Sequence, residues 1–305
     1  MNVSGAVAAD RPHQRRRVRL GRLEPLVWIA PAACVVLFVF GYSMVELVRT
    51  ALVYQGRWAG LANFRLTLSD SEFRTAVEHN ARLLIAVPLL VASALVLAIL
   101  LFEALRGWRF HRAAIFLPYV LPIPVIGVIF GQLLELNGLL NSALRSLGLG
   151  FLAVDWLGQP RWALWTMTGV IIWKELGFGG VLLLARLLSL PMETFEAARI
   201  DGARFFRLHR YVTVPQLGGV IAFYVVVEAI TMVSWVFNYV YVMTNGQGGP
   251  GDATVVSELY IYQTAFQYQA PEVAASAAAL LFGATLLLII LFFRVQRRTG
   301  VGIDD

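Results

Sequence analysis

LLIAVPLLVASALVLAILLF, residues 83–102, runs for twenty positions without a charge. At 1.5 Å rise per residue it reaches about 30 Å, the thickness of a bilayer's hydrocarbon core. Every backbone N–H and C=O must find its partner inside such a segment, so the run predicts a membrane-crossing α-helix. Five more segments of this kind flank the one that holds it, Leu83 to Leu105: Leu26 to Val48, Ala113 to Leu134, Trp162 to Leu187, Leu217 to Met243 and Val273 to Phe293. Four of the six contain charge-free runs long enough to span unaided. The fourth and fifth are interrupted by Lys174-Glu175 and by Glu228. The expected fold is an all-α membrane protein with six transmembrane helices between residues 26 and 293.

The composition of the 305-residue chain agrees. Charged residues make up 14% of it, against about 25% in soluble domains, and the hydrophobic fraction is 58% with mean hydropathy +0.69. In water such a chain would expose apolar patches too large to remain monomeric. A single cysteine, Cys34, excludes an intramolecular disulfide and reads as a small hydrophobe. The histidines, His13, His79, His111 and His209, adjoin no second ligand at metal-binding spacing, so no metal site is expected.

Of the 25 basic residues all but Lys174 are arginine, and their placement sets an expected orientation. With the N-terminus in the cytoplasm, the inner tails and loops hold 17 arginines and the outer loops 7. Both termini are then cytoplasmic: a basic tail 1–25 with Arg11, Arg15, Arg16, Arg17, Arg19 and Arg22, and a C-terminal tail 294–305. A signal peptide is the rival reading of the first segment. Its apolar run is too long for one and no small-residue cleavage site follows, so a retained helix is expected. The basic tail lacks the interleaved aromatics of a nucleic-acid arm and reads as a topology signal with some affinity for anionic lipid.

Between the fourth and fifth segments lies SLPMETFEAARIDGARFFRLHRYVTVP, residues 189–215, too polar to cross a bilayer. Pro191 suits the first turn of a helix, and Glu193 and Glu196 favour its positive end. Phe195, Ala198, Gly202, Phe205 and Phe206 recur at helical spacing among Arg199, Asp201, Arg204 and Arg207. The pattern is that of an amphipathic helix pair with a turn or close approach at Gly202. By pattern alone it fits equally a surface helix lying on lipid headgroups.

This loop resembles one family, the membrane permease subunits of bacterial binding-protein-dependent ABC importers. Their signature is Glu-Ala-Ala, three residues, Gly, nine residues, aliphatic, any residue, aliphatic, Pro. Here it reads Glu196-Ala197-Ala198, Gly202, Val212, Val214 and Pro215. Asp201-Gly202-Ala203 is similar to the sugar-type branch, as are Leu61-Ala62-Asn63-Phe64, Phe116-Leu117-Pro118 with Pro122, Gly138-Leu139-Leu140-Asn141, and Phe237-Asn238 to Thr244 followed by Gly248-Gly249-Pro250. Two departures stand out: Ala81 follows Asn80 where threonine is common, and the pair Lys174-Glu175 occupies the fourth segment.

The resemblance implies the type I ABC importer permease fold, a multi-pass place in the bacterial cell membrane, and a coupling loop over 188–216 inserted in a cleft of a separate ATPase. Phe195, Phe205 and Phe206 would be its apolar anchors and Glu196 a charged contact. The implied partners are two ATPase subunits, a second homologous permease subunit giving a heterodimer, an extracytoplasmic solute-binding protein and a sugar or polyol. No nucleic acid is expected. The chain has no Gly-rich phosphate loop followed by Lys-Ser or Lys-Thr, so ATP and Mg belong to the partner ATPase and no cofactor to this chain.

Intramembrane charge is costly, so Lys174, Glu175 and Glu228 should face protein or water. Lys174 and Glu228 fall near the same depth, and two readings stay open: they pair and lock the fourth and fifth helices, or Glu228 faces a translocation pathway. On a continuous fifth helix Glu228, Thr231, Trp235, Asn238 and Val242 form a partly polar stripe suited to a sugar, with Trp235 equally suited to packing. Pro118, Pro122 and Pro124 predict a kink in the third helix. An ion-coupled secondary transporter using Lys174 and Glu228 is the alternative function, though no internal repeat is evident. No nucleophile with a base at catalytic spacing supports a membrane enzyme.

Overall fold

The computed structural model describes residues 24–103 and 108–299. Of the expected basic tail, residues 1–23 lie outside the described residues, as do Arg106 and residues 300–305. Contacts divide the chain after Glu46 into two units. The first holds most of α1 (Glu24–Leu52), an apolar helix with Pro31 inside it and Phe38 stacked on Tyr42. The second begins with the end of α1 and a two-residue hairpin, β1 (Val53–Tyr54) and β2 (Arg57–Trp58), turned at Gln55-Gly56 with positive φ at both positions.

Helices then follow one another: α2 (Ala62–Ser69), α3 (Ser71–Leu83), α4 (Ala86–Phe102), α5 (Trp108–Val120), α6 (Ile123–Leu133), α7 (Leu139–Ser146) and α8 (Pro160–Leu188). After α8 come the short elements α9 (Met192–Ile200), α10 (Phe205–Leu208), a π-helical turn His209–Thr213, and α11 (Val214–Gln216). The rest is α12 (Gly218–Ser234), α13 (Phe237–Met243), α14 (Ser257–Tyr262) and α15 (Pro271–Thr299).

Three helices among the described residues are long and apolar enough to cross a membrane: Val27–Leu52, Ser71–Phe102 and Pro271–Arg294. Two more candidates are bent pairs, Ala113–Val120 with Ile123–Leu133 and Phe205–Gln216 with Gly218–Ser234, so length and composition give three to five spans among the described residues against the six expected, and α8 is not among them. The third expected span, read as able to cross unaided, turns through 101° between Val120 and Ile123. Pro122 sits there with extended ψ of 137° and can donate no backbone hydrogen bond, and its own carbonyl accepts from Val125 and Ile126 to start α6. The fifth was read as one helix over 217–243. It stops at Ser234 and restarts at Phe237. The freed N–H of Phe237 donates to Glu258 Oε2 at 2.8 Å, so a carboxylate from α14 caps α13. Burial pushes the Glu258 carboxyl up to about 7, against the opposing pull of the backbone N–H groups of Phe237 and Val236.

The core of the second unit centres on α4 packed along α8, with α5 and α12 against the same helix. Close approach depends on glycine. A Cβ at Gly179 would collide with the Tyr224 ring, and one at Gly177 would lie 2.7 Å from the Ile115 carbonyl. Buried asparagines hold the outer elements. Asn63 donates to the carbonyls of Ala51 and Val53, fixing the hairpin, while Thr67 and Ser276 bond at 2.6 Å to tie α2 to α15. Asn141 donates to Glu135, Leu136 and Val154 carbonyls and accepts from Trp156 Nε1. Asn80 donates to the carbonyls of Met232 and Val233 and accepts from Ser257 N, joining α3, α12 and α14.

Candidate functional site

The segment between α8 and α12 presents its signature residues through a helix end of defined geometry. α9 follows Pro191, whose extended backbone sets the first turn, and it closes on Gly202 at φ +81°. The Gly202 N–H donates to the Arg199 carbonyl and the Ala203 N–H to the Ala198 carbonyl, the paired bonds of a Schellman motif. Glycine at this position is thus a requirement of the left-handed turn. A Cβ there would touch nothing within 4 Å. Glu196, Ala197, Asp201, Phe205 and Pro215 are exposed, Ala198 and Ala203 are half-buried, and Phe206 is 85% exposed.

Phe195 departs from its expected role. It is fully buried in its own chain, with its ring 5.1 Å from that of Phe102 at the end of α4, so it anchors the loop inward. The outward apolar contacts are Phe205 and Phe206, packed edge to face at 5.4 Å. Two contacts to Glu103 adjoin this seam, the first an ion pair and the second to an imidazole that burial pushes toward its neutral form. Arg199 Nη2 lies 3.1 Å from both oxygens of Glu103, and His209 Nε2 lies 3.4 Å from Glu103 Oε1.

Five of the six residues expected along a pathway meet at one cavity. Lys174, Glu175, Glu228, Thr231 and Trp235 line a pocket of about 370 Å³, completed by Tyr119, Tyr239 and apolar neighbours. Lys174 and Glu228 do not pair. The Lys174 ammonium is 3.7 Å from Glu175 Oε1, donates to the Tyr119 carbonyl at 3.2 Å and lies over the Tyr119 ring at 4.8 Å. Glu175 Oε1 also accepts from Tyr239 OH at 2.7 Å. Glu228 is 1% exposed and its Oε2 has no hydrogen-bond partner. Asn238 does not reach the pocket and is exposed, and Val242 lines a separate, larger one. The break at Trp235 and Val236 ends the register that the stripe assumed, and Tyr239 takes the place expected for Asn238. Thr231 spends its hydroxyl on the Val227 carbonyl of its own helix. The cavity therefore offers a spare acceptor at Glu228, one remaining N–H of Lys174 and an aromatic wall.

Tyr119 and Tyr239 were not read from the sequence as lining residues. The proline break just after Tyr119 was the available signal for the first. Tyr239, four residues after Trp235, shared the helical spacing of the stripe with Asn238 and was the available signal for the second.

No protein-family model matches the chain. It is 33% identical over 257 residues to the diacetylchitobiose uptake system permease protein NgcF of Streptomyces coelicolor, covering 80% of this chain and 72% of that one. It is 32% identical over 254 residues to the alpha-glucoside transport system permease protein AglF of Rhizobium meliloti, covering 80% and 73%. The lactose transport system permease protein LacF of Rhizobium radiobacter is 29% identical over 249 residues, covering 79% and 83%. Among solved structures, a chain of a bacterial ABC transporter that imports the acidic polysaccharide alginate superposes with a TM-score of 0.81 at 21% identity, covering 94% of this chain and 98% of that one. The chain belongs to the sugar-type branch of the membrane permease subunits of bacterial binding-protein-dependent ABC importers.

Proposed function

We propose that this chain carries a sugar or related polyol across the cell membrane, through six crossings with both termini cytoplasmic, in a transporter driven by a separate ATPase. Solute arrives from an extracytoplasmic binding protein. The relatives are named for lactose, diacetylchitobiose and α-glucosides, all of them sugars. A second, homologous permease subunit completes the membrane part, and two ATPase subunits bind ATP and Mg. The 188–216 loop docks on one of them through Glu196, Asp201, Phe205 and Phe206.

The observation that carries this reading is the loop's surface. Glu196 and Asp201 stand exposed just before Gly202, and Phe206, 85% exposed, follows the turn. Exposed aromatic and charged groups on a fixed turn are what a cleft in another protein can grip. In the cavity, Glu228 and Lys174 supply an acceptor and a donor for neighbouring sugar hydroxyls, each of which can donate and accept at once. Trp235 offers a ring for the apolar face of a pyranose.

Affinity purification of the tagged chain from its native membrane tests the coupling role. Wild type retains an ATPase subunit; Phe206→Asp and Glu196→Arg lose it at least about tenfold, the scale of one or two buried contacts removed. Retention of the ATPase by both variants would overturn it. Uptake that survives ATP depletion and is abolished by a protonophore would favour the ion-coupled alternative.

A further inference from the structure

Glu103 occupies the C-cap of α4, and 96 residues separate it from Arg199 in the chain. Its carboxylate receives both oxygens' worth of contact from the Arg199 guanidinium on α9. His209 approaches it from the other side of the Gly202 turn, with Nδ1 held by Thr213 Oγ1 at 2.9 Å and Nε2 buried and free of any hydrogen bond. One residue earlier, Phe102 meets the buried ring of Phe195. The last two residues of the α4 end thus hold the loop at three points: α9 by an apolar and an ionic contact, and the π-helical turn by the imidazole.

The ion pair is half open to water on the Arg199 side and so adds little to stability. Its geometry does something else. An apolar contact alone lets two helices slide; a guanidinium bonded to both oxygens of the carboxylate, with the buried imidazole of His209 packed 3.4 Å from one of them, removes that freedom. We propose that Glu103 is a positioning residue that makes α4 and the 188–216 loop one rigid lever, so that displacement of the loop by an ATPase is delivered to α4 and, through its packing on α8, to the helix carrying Lys174 and Glu175. The delivery step rests on the reading of this loop as the ATPase contact. The rigidity itself does not.

Spin labels at Leu100→Cys on α4 and Ile200→Cys on α9, in a Cys34→Ser background of the full chain in lipid nanodiscs, report the lever by pulsed electron resonance. Position 200 is 85% exposed and position 100 is 37% exposed, so both accept a label. The expected result is one narrow distance distribution that broadens at least about twofold in Glu103→Gln and narrows again in the exchanged pair Glu103→Arg with Arg199→Glu. The melting temperature stays within about 2 °C throughout, because an exposed ion pair contributes little, so the spectroscopic change is not general unfolding. Glu103→Gln leaving the distribution unchanged, or broadening it with a collapse in melting temperature that the exchanged pair does not rescue, would overturn the inference. In the complex purified with its ATPase, the wild-type distance is expected to stay fixed between nucleotide-free and ATP-bound states; a change there would also overturn the lever. A chain that shows the narrow distribution and never retains an ATPase sinks the permease coupling while leaving Glu103's local role standing.

Discussion

Glu228 is the residue whose environment makes least sense for stability alone. A carboxylate at 1% exposure with an unpartnered oxygen carries a desolvation cost that nothing nearby repays, since Lys174 is already engaged by Glu175 and Tyr119. Replacing the ionisable group by an isosteric amide, which cannot charge, should therefore stabilise the chain. Glu228→Gln is expected to raise the melting temperature of the purified protein by a few degrees, on the order of 1 kcal/mol, and to lower uptake of the transported sugar at least about tenfold. Scanning calorimetry and a vesicle uptake assay check the two halves, and a variant that loses stability would show that Glu228 is bonded in a way the cavity geometry denies. The three charges of this cavity were legible in the sequence because charge inside an apolar run needs a reason. Their pairing was not. Neighbouring residues on a helix point in different directions, so depth favoured Lys174 with Glu228; the long lysine stem reaches Glu175 instead, because Tyr119 and Tyr239 close the space around that carboxylate.

At the level of elements, hydrophobic runs located the helices, and of the breaks at Pro122 and after Ser234 prolines located the first. The other break, after Ser234, depends on Glu258 reaching in from α14 to take the Phe237 N–H, a contact 21 residues away that no local pattern encodes. The loop signature was readable as spacing, and its physical meaning emerged with the backbone: Ala198 and Ala203 are the two ends of one capping motif that turns at Gly202. The glycines of α8 separate packing from propensity. Gly177 faces the Ile115 carbonyl, where a methyl would sit 2.7 Å from a backbone atom, whereas Gly169 on the same helix has nothing within 4 Å. Gly177→Ala is expected to lower the melting temperature by several degrees, about 1–3 kcal/mol of overpacking, as α5 is forced off α8. Gly169→Ala should raise stability slightly, by up to about 1 kcal/mol, through helix propensity. Equal effects at the two positions would contradict the α5 and α8 contact.

For the molecule as a whole, orientation decides whether the loop can meet an ATPase at all, and the arginine count is the argument for it. Its weak part is the first outer loop, where Arg49, Arg57, Arg65, Arg74 and Arg82 would be translocated. Arg82 is paired with Glu78 at 2.6 Å, and Arg74 donates to the Ser69 carbonyl at 2.6 Å, so part of this charge is neutralised or spent within the α2 and α3 cap. The bias is also strongest for short loops close to a span, and this one is a folded unit of a hairpin and two helices. Phe151, 79% exposed between α7 and α8, and Ile200, 85% exposed on α9, lie on loops that the six-crossing scheme puts on opposite sides. In a Cys34→Ser background, a membrane-impermeant maleimide is expected to label Phe151→Cys in spheroplasts and Ile200→Cys only after the membrane is opened. Labelling of both from outside would break the count of crossings between them. Labelling of position 200 alone would invert the chain and leave the Glu196–Gly202 turn where no cytoplasmic ATPase could reach it.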